Sequence, residues 1–365
     1  MTQIGWLVEC ISASGYWRAV RVAQNCGDSI LVQVTSADGM HGQALAPDSD
    51  RLRRELENEF KSVAPPGELG GDGPLGSGEA RLVRGMVATA KLDLASRRHG
   101  VPLSLWLGGA VRKAIRVMLP MVLRTEEAAP RRAELVDAAR QIRDSQELLG
   151  INSFAIHDSS TDVDLIAWSL QALISEAELT ATLMLRLAGQ FNTSQTQRLY
   201  SLLQGCGLTC IADPCSSIDM AMVASRNRLP ALGLSVWKYE RNDLLKYLPE
   251  TPPAVLLVDP LLEGGPLAVR QLASIARVLQ SEICLTAEAG GAWLTSLCAE
   301  LAAVVPASLQ PVHLPSELSL LDLRAYGVSA GTLPLRGLPS ASWPETTDGV
   351  DSLVAGQSAL PSAQR

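Results

Sequence analysis

The side chains able to do acid–base or metal chemistry are few and unevenly spread along this chain. Histidine occurs four times, as His41, His99, His157 and His313, and no lysine stands between Lys113 and Lys238 or after Lys246. Asp and Glu are absent from Leu179 through Ala212 and again from Met220 through Tyr239. A hard cation such as Mg²⁺ needs oxygen ligands, usually with a carboxylate or two among them. Neither stretch can supply that carboxylate, whatever the register. Seven cysteines are scattered at positions 10, 26, 206, 210, 215, 284 and 298, without a CxxC pair. The only cluster is Cys206, Cys210 and Cys215. A soft-metal site there needs a fourth ligand and tight turns, which the apolar residues around it do not offer. These cysteines read as reduced, mostly buried thiols, which points to the cytoplasm. A serine hydrolase with a nucleophile elbow is not expected.

The elements that must position these groups are legible in outline. With 365 residues, 47% hydrophobic and 19% charged, the chain is long enough for two domains or one large barrel and too apolar for disorder. Lys+Arg 31 against Asp+Glu 38 leaves a net charge of −7, so no basic excess exists for nucleic acid. Apolar runs such as 254–258 are far shorter than the ~20 residues of a membrane span. No positive charge precedes Arg18 and no long apolar segment follows the start, so a signal peptide is not expected.

Strands are expected over 5–10 and 30–35, the second running into a hairpin turn at Ser36-Ala37-Asp38-Gly39. A charged amphipathic helix follows over 49–62, then a Gly/Pro-rich loop over 65–78. Leu82, Val83, Met86, Val87, Ala90, Leu94 and Ala95 mark one face of a helix over 79–98, closed by Gly100 and Pro102. Beyond about residue 119, short apolar strands alternate with helices. Strands are expected over 153–156, 182–187, 209–211, 231–235, 254–258, 283–286 and 310–314, with helices such as 162–178 and 267–280 between them. Units at this spacing describe a parallel sheet closed into an α/β barrel of TIM type. An open doubly wound sheet is the competitor, but no Gly-rich phosphate fingerprint follows a first strand. The last 35 residues or so, rich in Ser, Pro, Ala and Gly, read as a surface tail.

Residues 87–102 (Val-Ala-Thr-Ala-Lys-Leu-Asp-Leu-Ala-Ser-Arg-Arg-His-Gly-Val-Pro) and 105–112 (Leu-Trp-Leu-Gly-Gly-Ala-Val-Arg) form a helix closed by Gly and Pro, then a Gly-Gly turn into the barrel. This text resembles the "AlwDlagkalGvPlyqLLGGavR" segment of the enolase superfamily, in its mandelate racemase and muconate lactonizing branch. Residues 30–42 resemble that family's hairpin, 211–214 (Ile-Ala-Asp-Pro) its "iEdP", 258–265 its "qiDvsrxGG" and 348–351 its closing "GlGvevD". About 90% of the chain is covered. The resemblance implies a modified (β/α)7β barrel over 119–329 and an α+β capping domain over 1–118, completed by the tail 330–365. It also implies a homo-oligomer and a small carboxylate as ligand.

In that family a Mg²⁺ held by three carboxylates at successive strand ends stabilises an enediolate, while a Lys, or a His paired with an Asp, moves the proton beside the substrate carboxylate. The corresponding positions here are nearly all vacant. The lysine motif falls on Ala155-Ile156-His157, and the three metal ligands fall on Arg186, Ala212 and Leu234. Asp259 aligns with the Asp of the His/Asp dyad, but 285–288 (Leu-Thr-Ala-Glu) has no His to join it. His157, Asp259 and Glu288 remain as catalytic candidates, and Arg186, Asp213 and Asp259 as pocket residues. Arg186, near where the metal's charge would stand, either holds a ligand carboxylate or pairs with Asp213 or Asp259 and seals the pocket. No cofactor is expected, Mg²⁺ included.

The reading these residues favour is a pseudoenzyme or repurposed small-acid binder on this scaffold. The alternative is an active isomerase or lyase: a racemase or epimerase, a cycloisomerase or an acid-sugar dehydratase acting on a carboxylate through an enolate. A third is a metal-free enzyme built on Arg186, His157, Asp213 and Asp259.

Overall fold

A computed structural model describes residues 7–335 apart from 13–14, 25–26, 62–77, 125–127, 177–180, 227–228, 240–242, 245, 247–254, 288–290, 306–310, 315–319 and 326. The Gly/Pro-rich loop up to Ser77, Glu288, the segment Asp348–Asp351 and the tail beyond Leu335 lie outside the described residues. The chain opens with an antiparallel meander of β1 (Leu7–Ser12), β2 (Gly15–Gln24), β3 (Gly27–Thr35) and β4 (His41–Pro47), paired in that order. The hairpin at Asp38-Gly39 forms where expected. Gly39 takes φ +81° and its N–H donates to Ser36 O at 2.9 Å.

Three helices follow: α1 (Asp50–Lys61), α2 (Gly78–His99) and the short α3 (Leu103–Trp106). The apolar face of α2 buries Val83, Met86, Val87, Ala90 and Leu94. Glycines set how closely it packs. A Cβ at Gly42 of β4 would lie 2.1 Å from Ala90 O, and one at Gly85 would lie 1.9 Å from Leu261 O. The first approach seats α2 on the meander. The second seats it on the loop that follows a barrel strand.

The barrel is made of β5 (Ala114–Leu123), β6 (Ser153–Asp158), β7 (Thr182–Arg186), β8 (Leu208–Ala212), β9 (Ala231–Ser235), β10 (Val255–Val258), β11 (Glu282–Leu285) and β12 (Val312–His313). All eight are parallel in the spatial order β11-β10-β9-β8-β7-β6-β5-β12. A parallel bridge between Thr286 and His313, with Ala287 N donating to His313 O at 3.2 Å, brings the two ends of that order together. The helices between strands are α4 (Ala128–Leu149), α5 (Val163–Glu176), α6 (Thr193–Leu202), α7 (Ile218–Ser225), α8 (Pro266–Val278) and α9 (Gly291–Val304). Then α10 (Leu320–Ala325) leads to β13 (Thr332–Pro334), which pairs antiparallel with β5. Seven of the eight barrel strands lie where the sequence predicts them. The eighth, β5, is not predicted because Arg116 and Pro120 interrupt its apolar run, and a proline ordinarily argues against a central strand.

Parallel strands covered on both faces are apolar on both, and alternate residues divide into two cores. Met118, Ala155, Met184, Cys210, Ala212, Val255, Leu257 and Cys284 pack together inside the barrel. Their sequence neighbours, among them Phe154, Ile156, Leu183, Leu185, Ile211, Leu256, Ile283 and Leu285, pack outward in the larger core that includes the helices. Small residues make room for the methionines. A Cβ at Gly233 would meet Cys210 Sγ at 2.6 Å. The interior is therefore solid, and the polar side chains gather at the C-terminal ends of the strands, as barrels of this kind arrange them.

Candidate functional site

The alternation that sends Ala155, Met184, Cys210 and Cys284 inward sends His157, Arg186, Ala212 and Thr286 inward one level higher, because side chains in a strand repeat every second residue. The strand register sets His157 beside Arg186 and Arg186 beside Ala212. On β9 the inward positions are Gly233 and Ser235, while Leu234 packs in the outer core with Leu232 and Val236. The metal-ligand position assigned to Leu234 thus lies on the wrong face of its strand, and Ser235 faces the mouth in its place.

Asp213 follows β8 at φ +51°, a left-handed conformation that Asp adopts more readily than most residues. That twist turns its fully buried carboxylate toward β9. Oδ1 accepts from Ser235 N at 2.8 Å, while Oδ2 accepts from Ser235 Oγ and from Lys238 Nζ at 2.8 Å. Lys238 ends the 3-10 turn Val236–Lys238 that continues β9. Arg186 is 6% exposed. Burial pulls its pKa down, opposed chiefly by Asp213, then by the Cys284 and Cys210 thiols and Asp259. The pocket residues Arg186 and Asp213 are thus brought together, with Lys238 added. Asp259, also buried, accepts from Leu261 N at 2.9 Å and Leu262 N at 3.3 Å, so backbone donors hold it at the start of the loop after β10.

The contact that sequence reasoning missed is between two histidines. His157 Nε2 lies 2.9 Å from His313 Nε2, with ring centroids 5.0 Å apart. One ring donates its N–H to the lone pair of the other, so a single proton lies between the two nitrogens. Burial, then Arg186 and Lys238, push His157 down to about 3. Burial, Arg186 and His157 push His313 well below its ordinary value. Two buried polar atoms beside the pair, His313 Nδ1 and Thr286 Oγ1, have no hydrogen-bond partner among the described residues. His313 is not among the sequence-predicted site residues, although it sits in the run expected to be the last strand. In a closed barrel the last strand adjoins the first, and with β5 unread that neighbour was not counted.

The three clustered cysteines disperse. Cys210 is inside the barrel, Cys215 is buried with its sulfur 3.1 Å from Thr196 Oγ1, and Cys206 is half-buried against the outer core. Burial raises the Cys210 thiol and pushes Cys284 up to about 12, so neither is a ready thiolate. A G-x-S-x-G pattern occurs at 327–331. It forms a turn before β13, where Ser329 N donates to Thr332 O at 3.1 Å, and not the strand-to-helix elbow of a hydrolase.

The donor set at these strand ends does not suit Mg²⁺. A guanidinium and a methyl group face inward on β7 and β8, Ser235 on β9 already donates to Asp213, and Asp213 itself is engaged by an ammonium. Among the described residues no three His, Cys, Asp or Glu side chains stand where one metal ion could join them. None of the described helices is long and apolar enough to cross a membrane.

No family model matches the chain, and no curated protein matches its sequence. Solved structures do match. An isomerase from Streptomyces coelicolor A3(2) superposes with a TM-score of 0.75 at 14% identity, over 98% of this chain and 100% of that one. A mandelate racemase/muconate lactonizing enzyme-like protein from Rubrobacter xylanophilus DSM 9941 gives 0.72 at 15% identity, over 92% and 93%. An enolase from Pseudomonas fluorescens Pf0-1 with bound magnesium, potassium and tartrate gives 0.68 at 14% identity, over 98% and 94%. At such identity the likeness establishes the fold, a barrel with a capping domain, as the enolase-superfamily resemblance implied.

Proposed function

We propose that this chain, which has the enolase-superfamily fold, is a pseudoenzyme repurposed as a small-acid binder: it keeps the barrel mouth and has lost the magnesium-dependent proton abstraction. One observation carries the reading. A cation stands where the resemblance puts a metal ligand, Arg186 at the end of β7, and a second, Lys238 just past β9, donates to Asp213 beside it. A guanidinium offers a planar fork of donors that matches a carboxylate at any working pH. The tartrate in the Pseudomonas structure supports a ligand of that class. The reading includes a cap of residues 1–118 and 330–365 over a barrel of 119–329. It also takes the protein to be a cytoplasmic homo-oligomer, consistent with the free cysteines at 206, 210, 215, 284 and 298.

The test is a thermal-shift titration. Lactate is expected to raise the melting temperature of the wild type, because a ligand at a hundredfold excess over Kd adds about 2.7 kcal/mol. The rise should vanish in Arg186→Met and shrink in Lys238→Met. A wild type that no small acid shifts would overturn the reading.

Magnesium gives a separate expectation. Millimolar Mg²⁺ alone should move the melting temperature by less than about a degree, since a cation is repelled by Arg186 and Lys238. A rise of several degrees that a chelator abolishes would return the chain to the magnesium-dependent isomerases and lyases.

A further inference from the structure

We propose that the barrel mouth takes up a small carboxylate together with one proton, and that the proton comes to rest on the His157–His313 pair. The inference rests on the small-acid reading above and concerns what accompanies the acid. Its ground is the balance of charge in a buried space. The fixed charges that act on His157 and on Arg186 balance: Arg186 and Lys238 on one side, Asp213 and Asp259 on the other. They cancel. An entering carboxylate therefore leaves one negative charge uncompensated, and at low dielectric such a charge is costly.

The imidazole pair is the group able to answer it. Around the pair, β7 presents Arg186, the turn after β9 presents Lys238, and β11 presents the Cys284 thiol, which stays protonated. On α9, Cys298 donates to Thr286 O at 3.4 Å and its thiol is likewise raised by burial, while Glu300 accepts from Ser104 N at 3.0 Å, toward α3. Asp158, next to His157, turns outward to Arg131 on α4. No carboxylate among these offers itself to the pair, so with the mouth empty the two nearby cations hold both rings neutral.

A bound carboxylate reverses that local field and makes a protonated ring favourable. The pair takes one proton and not two, because the N–H···N contact at 2.9 Å suits an imidazolium donating to an imidazole, whereas two imidazoliums would face each other N–H to N–H. The proton comes from solvent and no covalent bond other than N–H forms. His313 Nδ1 is buried without a partner among the described residues.

The experiment is calorimetric titration of the wild type with lactate at a pH of about 6, in two buffers of unlike ionisation enthalpy. About one proton should be absorbed per lactate bound, and Kd should weaken roughly tenfold per pH unit as pH rises until the bound pair itself deprotonates. His157→Gln and His313→Gln should each flatten both dependences. Binding with equal heats in the two buffers and a pH-independent Kd would overturn the proton coupling while leaving the small-acid reading intact. Absence of binding in both buffers would remove the two together. The wild-type buffer comparison decides even if a histidine variant fails to fold.

Discussion

Arg131→Met is expected to lower the unfolding free energy by about 3 to 5 kcal/mol, the range for removing one partner of a buried ion pair. Arg131 on α4 and Asp158 at the end of β6 form an ion pair in which both side chains are 0% exposed. Arg131 Nε also donates to Ser169 Oγ on α5 at 3.0 Å, and Asp158 Oδ1 accepts from Ser160 N at 2.9 Å. One guanidinium thus ties two helices to the strand that carries His157. Burial already raises the Asp158 pKa, against the pull of Ser160 N and Arg131. A raised folded-state pKa means stability that is present at low pH and lost as pH rises, and losing Arg131 raises it further. The deficit of the variant should therefore be largest near neutral pH and narrow on acidification, as the orphaned carboxyl takes up a proton. Urea unfolding at neutral and acidic pH measures both effects. Lysine should not restore stability, because it lacks the fork that reaches Ser169 and Asp158 together. The double variant Arg131→Met/Asp158→Leu should recover much of the loss, since no charge is then left buried alone. A loss under about 1 kcal/mol at neutral pH would show the pair to be dispensable.

Asp213→Ala is the second large effect, expected at about 3 kcal/mol or more. The change leaves Ser235 N–H and Oγ without their acceptor and takes away the leading negative charge beside buried Arg186. It also asks alanine to hold φ +51°, which costs an L-residue roughly another 1 kcal/mol. The Lys238 bond contributes less, because that ammonium is 36% exposed and water takes over its hydration. Asp213→Asn keeps an acceptor and a residue tolerant of positive φ, and should lose only part of this. Denaturant melts of the two variants separate charge from hydrogen bonding. Equal stability of Asn and wild type would mean that the carboxylate charge does not compensate Arg186.

Much of the scaffold was legible because its signals are local. Buried parallel strands write themselves as apolar runs separated by helical periodicity, and the two faces of β6 through β11 follow from the alternation of neighbours such as Ala155 and Ile156. The turn at Asp38-Gly39 and the glycines at 100, 108 and 109, all at positive φ, mark where the chain must reverse. The absence of Asp and Glu from residues 179–212 and 220–239 was legible too, and a stretch without them offers no carboxylate in any register. Where local rules failed, a local exception was responsible. Arg116 and Pro120 hid β5, and a one-residue error in pleat on β9 put Leu234 where Ser235 stands, since shifting a strand by one residue exchanges its faces.

What the sequence determined by itself, then, was the barrel, its cap and the absence of Asp and Glu from residues 179–212 and 220–239, because each depends on residue type and spacing within one segment. The contents of the mouth were decided by the tertiary structure. His157 and His313 are 156 residues apart and meet only because β12 closes against β5 and Thr286. Lys238 reaches Asp213 only because a 3-10 turn folds back over the end of β9, and Arg131 finds Asp158 only because α4 packs between β5 and α5. Periodicity reports which face of an element is buried and says nothing of which distant element covers it. Closure of the barrel supplies those neighbours, and with them the charges and shifted proton affinities that set the chemistry of the site.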